Sequence, residues 1–144
     1  MSIGRVCQRE VDVASSDEPV LHAAERMHQR SVGTLVVVDH ERRPQGIVTD
    51  RDLVIKVLAP GKDAARTTVG QIMTQHPDTI HEEAPIEAAF ESMRRHGARR
   101  LPVIDRKGVL VGLVSVDDLL ALIIEELSQV GGLLARQTPQ AAAN

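Results

Sequence analysis

A hydroxyl and a carboxylate recur at one spacing, twice, in Gly46-Ile47-Val48-Thr49-Asp50-Arg51-Asp52 and Gly112-Leu113-Val114-Ser115-Val116-Asp117-Asp118. In each copy a glycine opens an apolar run, Thr or Ser closes it, and an aspartate follows three positions later. That order reads as a strand handing over to a helix, so hydroxyl and carboxylate project from one junction. Spacing alone favours a capping box, in which Thr49 or Ser115 caps the helix and the acid reaches back to the cap N–H.

Other chemistries find little support. The six histidines show no HExxH or comparable ligand spacing, and no protein metal site is expected. The lone Cys7 excludes an internal disulfide and reads as an inert thiol. No nucleophile, base and orienting group stand together, and neither a P-loop nor a Rossmann fingerprint occurs, so an enzyme is not expected. With one Phe, no Trp and no Tyr, a bound base must be gripped by aliphatic side chains. The formal charge of −3 gives no global attraction to nucleic acid or anionic lipid. Hydropathy offers neither a signal core nor a bilayer-spanning stretch, and a soluble cytoplasmic protein is expected.

The elements that carry the junctions come in duplicate. Sliding the chain by 66 residues aligns 12–53 with 78–119 without a gap, and 12 of the 42 pairs are identical, against roughly two or three by chance. Each unit begins with a short strand (11–14 and 78–81). A helix follows, opened by an acidic, proline-marked turn, Ser16-Asp17-Glu18-Pro19 or Glu82-Glu83-Ala84-Pro85. Its apolar stripe reads Val20, Ala23, Ala24, Met27 and then Ile86, Ala89, Phe90, Met93, all expected in the core. Hairpins come next, Thr34 to Asp39 with Gln45 to Thr49, and Arg100 to Asp105 with Leu110 to Ser115. Closing helices start at Asp50 and Val116, with more apolar residues than one stripe needs. Residues 59–66 read as a linker, Val69 to Met73 leads into the second unit, and a disordered tail is expected over 137–144. Units of this size should share one core across a pseudo-twofold axis.

A duplicated β-α-β-β-α unit with G-h-h-[ST]-x-x-D (h apolar) at the last junction resembles a tandem pair of cystathionine-β-synthase (CBS) domains, a Bateman module. The resemblance implies an α+β fold with repeats over 5–60 and 67–130. Arg99-Arg100-Leu101-Pro102-Val103-Ile104-Asp105 also resembles the family's second strand, whereas Thr34-Leu35-Val36-Val37-Val38-Asp39 has no proline. The family implies a regulatory module that binds adenosine-containing ligands between its repeats; AMP, ADP or ATP is the leading expectation here, with the change signalled to a protein partner. Carried over by position, Asp52 and Asp118 would hold ribose hydroxyls, with Thr49 and Ser115 beside them. Val13, Ile80 and Pro102 are candidate adenine walls. Arg51 is the first phosphate candidate and Arg100 the second, chosen from the run Arg94, Arg95, His96, Arg99, Arg100; Asp117 replaces the cation in the second copy, so unequal clefts are expected. No cofactor is required, and Mg²⁺ would enter only with nucleotide phosphate. The surplus apolar helix surface implies a homodimer. Two rival readings are a structural dimerisation or partner-binding module with empty clefts, and the same pocket holding S-adenosylmethionine or NAD(H).

Overall fold

The computed structural model describes residues 1–137. The expected tail therefore lies outside the described residues, except for Gln137. In order, the elements are α1 (Ile3–Val6), β1 (Val13–Ala14), α2 (Val20–Arg30), β2 (Thr34–Val38), β3 (Pro44–Thr49), α3 (Asp50–Leu53) running into a π-helical turn Val54–Leu58, α4 (Val69–Ile72), β4 (Thr74–Gln75), β5 (Ile80–His81), α5 (Ile86–His96), β6 (Arg100–Ile104), β7 (Leu110–Ser115) and α6 (Val116–Gln137). The architecture is α+β: two β-α-β-β-α repeats, related by a pseudo-twofold axis.

Each repeat builds on an antiparallel hairpin with a short parallel strand at its edge. Leu35 pairs with Val48 in β2/β3 and Leu101 with Val114 in β6/β7; Val13 pairs with Val36 and Ile80 with Val103. Runs of β-branched residues favour these strands. Both hairpins turn on the same device: one carboxylate oxygen of Asp39 accepts from the N–H groups of Glu41 and Arg43, and one of Asp105 accepts from Lys107 and Val109.

The helices differ from expectation at their starts. Pro19 and Pro85 are N-caps with extended ψ of 143° and 155°, not residues of the first turn, so the acidic residues before them lie outside the helices. Glu18 instead pairs with Arg26 on α2 at 2.7 Å. Val20, Ala23, Met27, Ala89 and Met93 are buried as expected, but Phe90 is 38% exposed and belongs to neither core. The reason is angular: Ala89 and Met93 fill the sheet-facing line of α5, leaving Phe90 on its shoulder.

Two cores form in place of one. The first gathers Val20, Ala23, Leu35, Val37 and Val48 of the first repeat, and the second gathers Ala89, Leu101, Val103, Val114 and Leu119 of the second. Val69 and Ile72, which precede the second repeat in sequence, are buried in the first core, whereas Ile3, ahead of the first repeat, is buried in the second. Each repeat is thus completed by the segment leading into the other. Val36 and Pro102, equivalent under the 66-residue shift, are fully buried yet in neither core. Strand alternation puts them on the sheet faces turned away from the core helices. Among the described residues no helix is long and apolar enough to cross a membrane.

Candidate ligand site between the repeats

Both signatures fold into complete capping boxes. The Asp52 N–H donates to Thr49 Oγ1 (3.2 Å), and the Thr49 N–H donates to Asp52 Oδ2 (2.9 Å). In the second copy the Asp118 N–H donates to Ser115 Oγ (3.1 Å) and the Ser115 N–H to Asp118 Oδ2 (3.0 Å). One oxygen of each carboxylate is therefore committed to its helix start. The other faces a side chain from elsewhere: Lys56 Nζ lies 3.2 Å from Asp52 Oδ1, and Gln8 Nε2 donates to Asp118 Oδ1 at 3.2 Å. Capping thus leaves the second oxygen of each carboxylate facing a partner that is itself not buried, Lys56 or Gln8.

The glycine of each signature has a steric reason. A Cβ on Gly112 would stand 2.6 Å from Cys7 Sγ and 3.0 Å from the Gln8 carbonyl oxygen; one on Gly46 would stand 2.5 Å from Met73 Sδ and 2.9 Å from the Thr74 carbonyl oxygen. Those neighbours belong to the exchanged segments, which lie along β7 and β3: Gln8 bridges to Leu113, and Thr74 pairs with Ile47. The signature glycine thus lets the exchanged segment close the site, and it places Gln8 on Asp118.

A cavity of about 290 Å³ opens between the repeats at this junction. From the first repeat and the segment before it come Glu10, Val11, Asp12, Gly33 and Thr34; from the second come Arg100, Ser115, Asp117 and Asp118. The backbone N–H of Val116 is tied to the Arg99 carbonyl at 2.9 Å, which seats α6 against the start of β6. A larger cavity of about 650 Å³ adjoins it, sharing Val11 and Asp12, and runs past Val13 to Glu18, Arg26 and Asp39.

Of the residues expected from sequence, Ser115, Asp118 and Arg100 come together in the 290 Å³ cavity, and Val13 lines the adjoining one. Thr49 and Asp52 meet each other at the other junction and line neither. Arg51 is exposed beside a surface recess with Asp50, Val54 and Ile55. Ile80 is buried in the second core and Pro102 within the sheet, and neither reaches these two cavities. Sequence reasoning missed Gln8, Glu10, Asp12 and Gly33. Gln8 lies 110 positions from Asp118, and no local pattern signals that pairing.

The class of protein is set by two capped signature junctions on interlocked β-α-β-β-α repeats, with the Ser115/Asp118 junction facing the cleft between them. The CBS domain model matches residues 3–59 and 69–125, and the chain belongs to that family. It is 37% identical over 120 residues to the uncharacterized protein MK0525 of Methanopyrus kandleri, a match covering 83% of this chain and 61% of the relative. It is 34% identical over 116 residues to the mitochondrial CBS domain-containing protein CBSX3 of Arabidopsis thaliana, covering 78% of this chain and 56% of that one. The chain thus spans under two-thirds of these relatives' lengths. Among solved structures, the CBS domain pair of MJ0100 in complex with 5′-methylthioadenosine and S-adenosyl-L-methionine is similar at a TM-score of 0.75 and 26% identity, over 85% of this chain and 99% of that one.

Proposed function

We propose that this protein is a regulatory module that binds an adenosine-containing ligand between its repeats and passes the resulting change of tilt to a protein partner. The observation that carries the reading is the inter-repeat cavity, which holds Asp118, Ser115 and Arg100 against segments of the first repeat. Asp118 Oδ1 and, at the other junction, Asp52 Oδ1 are the acceptors for ribose hydroxyls, in place of Gln8 and Lys56. Thr49 and Ser115 complete the polar floor. AMP, ADP or ATP is the leading ligand class, with Mg²⁺ only where phosphates bring it; the similarity to the MJ0100 pair supports an adenosyl ligand in general. A ligand touching both repeats shifts their tilt by as much as it binds one arrangement better than another.

The exposed apolar faces of the closing helices support a homodimer. Val54, Ile55 and Leu58 on one, and Leu120, Ile124 and Leu127 on the other, are 48 to 74% exposed in the single chain. A sedimenting dimer at micromolar concentration is expected; a monomer removes this part of the reading.

The complete capping boxes favour a second reading, a structural dimerisation or partner-binding module with unfilled clefts. Thermal unfolding followed by circular dichroism separates the two, with AMP, ADP, ATP, S-adenosylmethionine and NADH added singly. Ligand at about 100 times its Kd stabilises by about 2.7 kcal/mol, a rise near 8 °C for a chain of this size. A shift abolished by Asp118→Ala or Asp52→Ala supports ligand binding. No shift at millimolar concentration with any of the five supports the structural module.

A further inference from the structure

The two junctions share one hydrogen-bond frame but not one charge. The backbone correspondence is close: the Asp50 N–H donates to the Gly33 carbonyl at 3.0 Å as the Val116 N–H does to Arg99 at 2.9 Å, and Ile47 pairs with Thr74 as Leu113 bridges to Gln8. The 66-residue shift therefore gives each lining residue of the Asp118 cleft a counterpart in sequence around the Asp52 junction, where Arg51 borders a surface recess with Asp50, Val54 and Ile55. In the Asp118 cleft the charged lining is Glu10, Asp12, Asp117, Asp118 and a single cation, Arg100. Their counterparts, with that of Gly33, are His76, Asp78, Arg51, Asp52, Thr34 and Arg99, while Arg100 takes the place of Thr34. Four carboxylates against one guanidinium become two carboxylates against three, with Arg100 counted on both sides because it stands at the start of β6 beside the axis. Asp52 is already countered by Lys56 at 3.2 Å, and Asp78 lies 3.4 Å from His96 Nδ1. Arg51, Arg99 and Arg100 are exposed and make no ion pair among the described residues, and the same holds for Glu10 and Asp117.

Resting on the functional reading above, we propose that the clefts sort adenosyl ligands by charge. The cleft of Asp52, Arg51 and Arg99 takes phosphorylated adenosines such as ADP. The cleft of Asp118, Asp117 and Glu10 takes adenosyl ligands whose 5′ substituent is uncharged or cationic, the class of S-adenosylmethionine. The ribose contact is common to both, and the residue one position before the aspartate, Arg51 or Asp117, is the discriminating one. Coulombic attraction or repulsion at contact distance is strong enough to decide between ligands that differ only in that substituent. Module output then reports two different metabolic quantities at once, because each ligand occupies its own side of the pseudo-twofold axis.

Isothermal titration of the full chain with ADP, with S-adenosylmethionine and with neutral adenosine tests this, in the wild type and in Arg51→Asp and Asp117→Arg. Both positions are exposed, so the swaps leave the cores untouched. Arg51→Asp is expected to weaken ADP by roughly tenfold or more and to leave S-adenosylmethionine unchanged. Asp117→Arg is expected to weaken S-adenosylmethionine by a similar factor and to admit a second ADP. Asp52→Ala should remove ADP and Asp118→Ala should remove S-adenosylmethionine. If adenosine binds but both swaps leave both charged ligands within about twofold, or if ADP is lost in Asp118→Ala instead of Asp52→Ala, the sorting is overturned and the ribose reading stands. If adenosine itself does not bind, the functional reading falls and the sorting with it.

Discussion

Adding one methyl group at Gly112 tests the packing that closes the site. In Gly112→Ala the new Cβ would meet Cys7 Sγ at 2.6 Å, the Gln8 carbonyl oxygen at 3.0 Å and Cys7 Cβ at 3.4 Å. The thiol can rotate aside, but the carbonyl cannot move alone. Gln8 exchanges two backbone hydrogen bonds with Leu113, both 2.9 Å, so relief requires the whole bridge to lift by a few tenths of an ångström. Overpacking of this kind costs about 1–3 kcal/mol, or roughly 3 to 9 °C in Tm at about 3 °C per kcal/mol. Lifting Gln8 also breaks its 3.2 Å bond to Asp118. The same substitution at Gly131, in α6 with nothing within 4 Å of a Cβ, should do the opposite, raising Tm by up to about 3 °C through helix propensity worth up to about 1 kcal/mol. Far-UV circular dichroism is the assay, since the chain has no Trp or Tyr. Adding Cys7→Ala to Gly112→Ala should recover part of the loss, because it removes the Sγ conflict and leaves the carbonyl one. A Gly112→Ala protein melting at the wild-type temperature would refute the reasoning, since the segment before the first repeat could not then lie against β7.

Three further outcomes follow from the same geometry. Asp118→Ala removes the acceptor of the Ser115 N–H and should cost about 1 kcal/mol, near 3 °C in Tm without ligand, whereas Asp118→Asn keeps an oxygen there and should melt close to wild type. Hydrogen bonds from Arg26 hold the Glu18 carboxyl below its ordinary value of 4.5, so the pair's stabilisation is complete above that value and fades as pH falls through the lowered one. Glu18→Gln should accordingly flatten the acid limb of a Tm-against-pH curve, and an unchanged limb would contradict the pairing. Burial pushes the Cys7 thiol up, so iodoacetamide near neutral pH should label the folded chain more slowly than the urea-unfolded one; equal rates would show Cys7 to be open.

What the sequence disclosed and what it hid have separate physical causes. Hairpins, stripes and capping boxes are local: alternation, 3.6-residue spacing and a hydroxyl three positions before an acid are set by neighbours along the chain, so Thr49/Asp52 and Ser115/Asp118 were legible. The segment exchange is not local. Ile3 and the Val69/Ile72 pair are short apolar segments facing two cores of nearly identical lining, and nothing in their spacing says which core each one enters. Gln8 was invisible for that reason, since it reaches Asp118 only because α1 docks on the second repeat. Phe90 was misplaced because periodicity assigns a face, while the width of that face depends on what the sheet already covers. The cleft charges were half legible: Arg51 against Asp117 stands out in the aligned repeats, but Gly33 against Arg99 gains meaning only once the start of β2 is seen to line the cavity of the other repeat. Identities between the repeats fall where the backbone frame needs them, at Asp39/Asp105, Gly46/Gly112 and Asp52/Asp118. At the junctions the differences fall on exposed side chains, Arg51 against Asp117 and Arg99 against Gly33. Two junctions with one hydrogen-bond skeleton and opposite charge at Arg51 and Asp117 are therefore what a duplicated unit can reach by surface substitution alone, without disturbing either core.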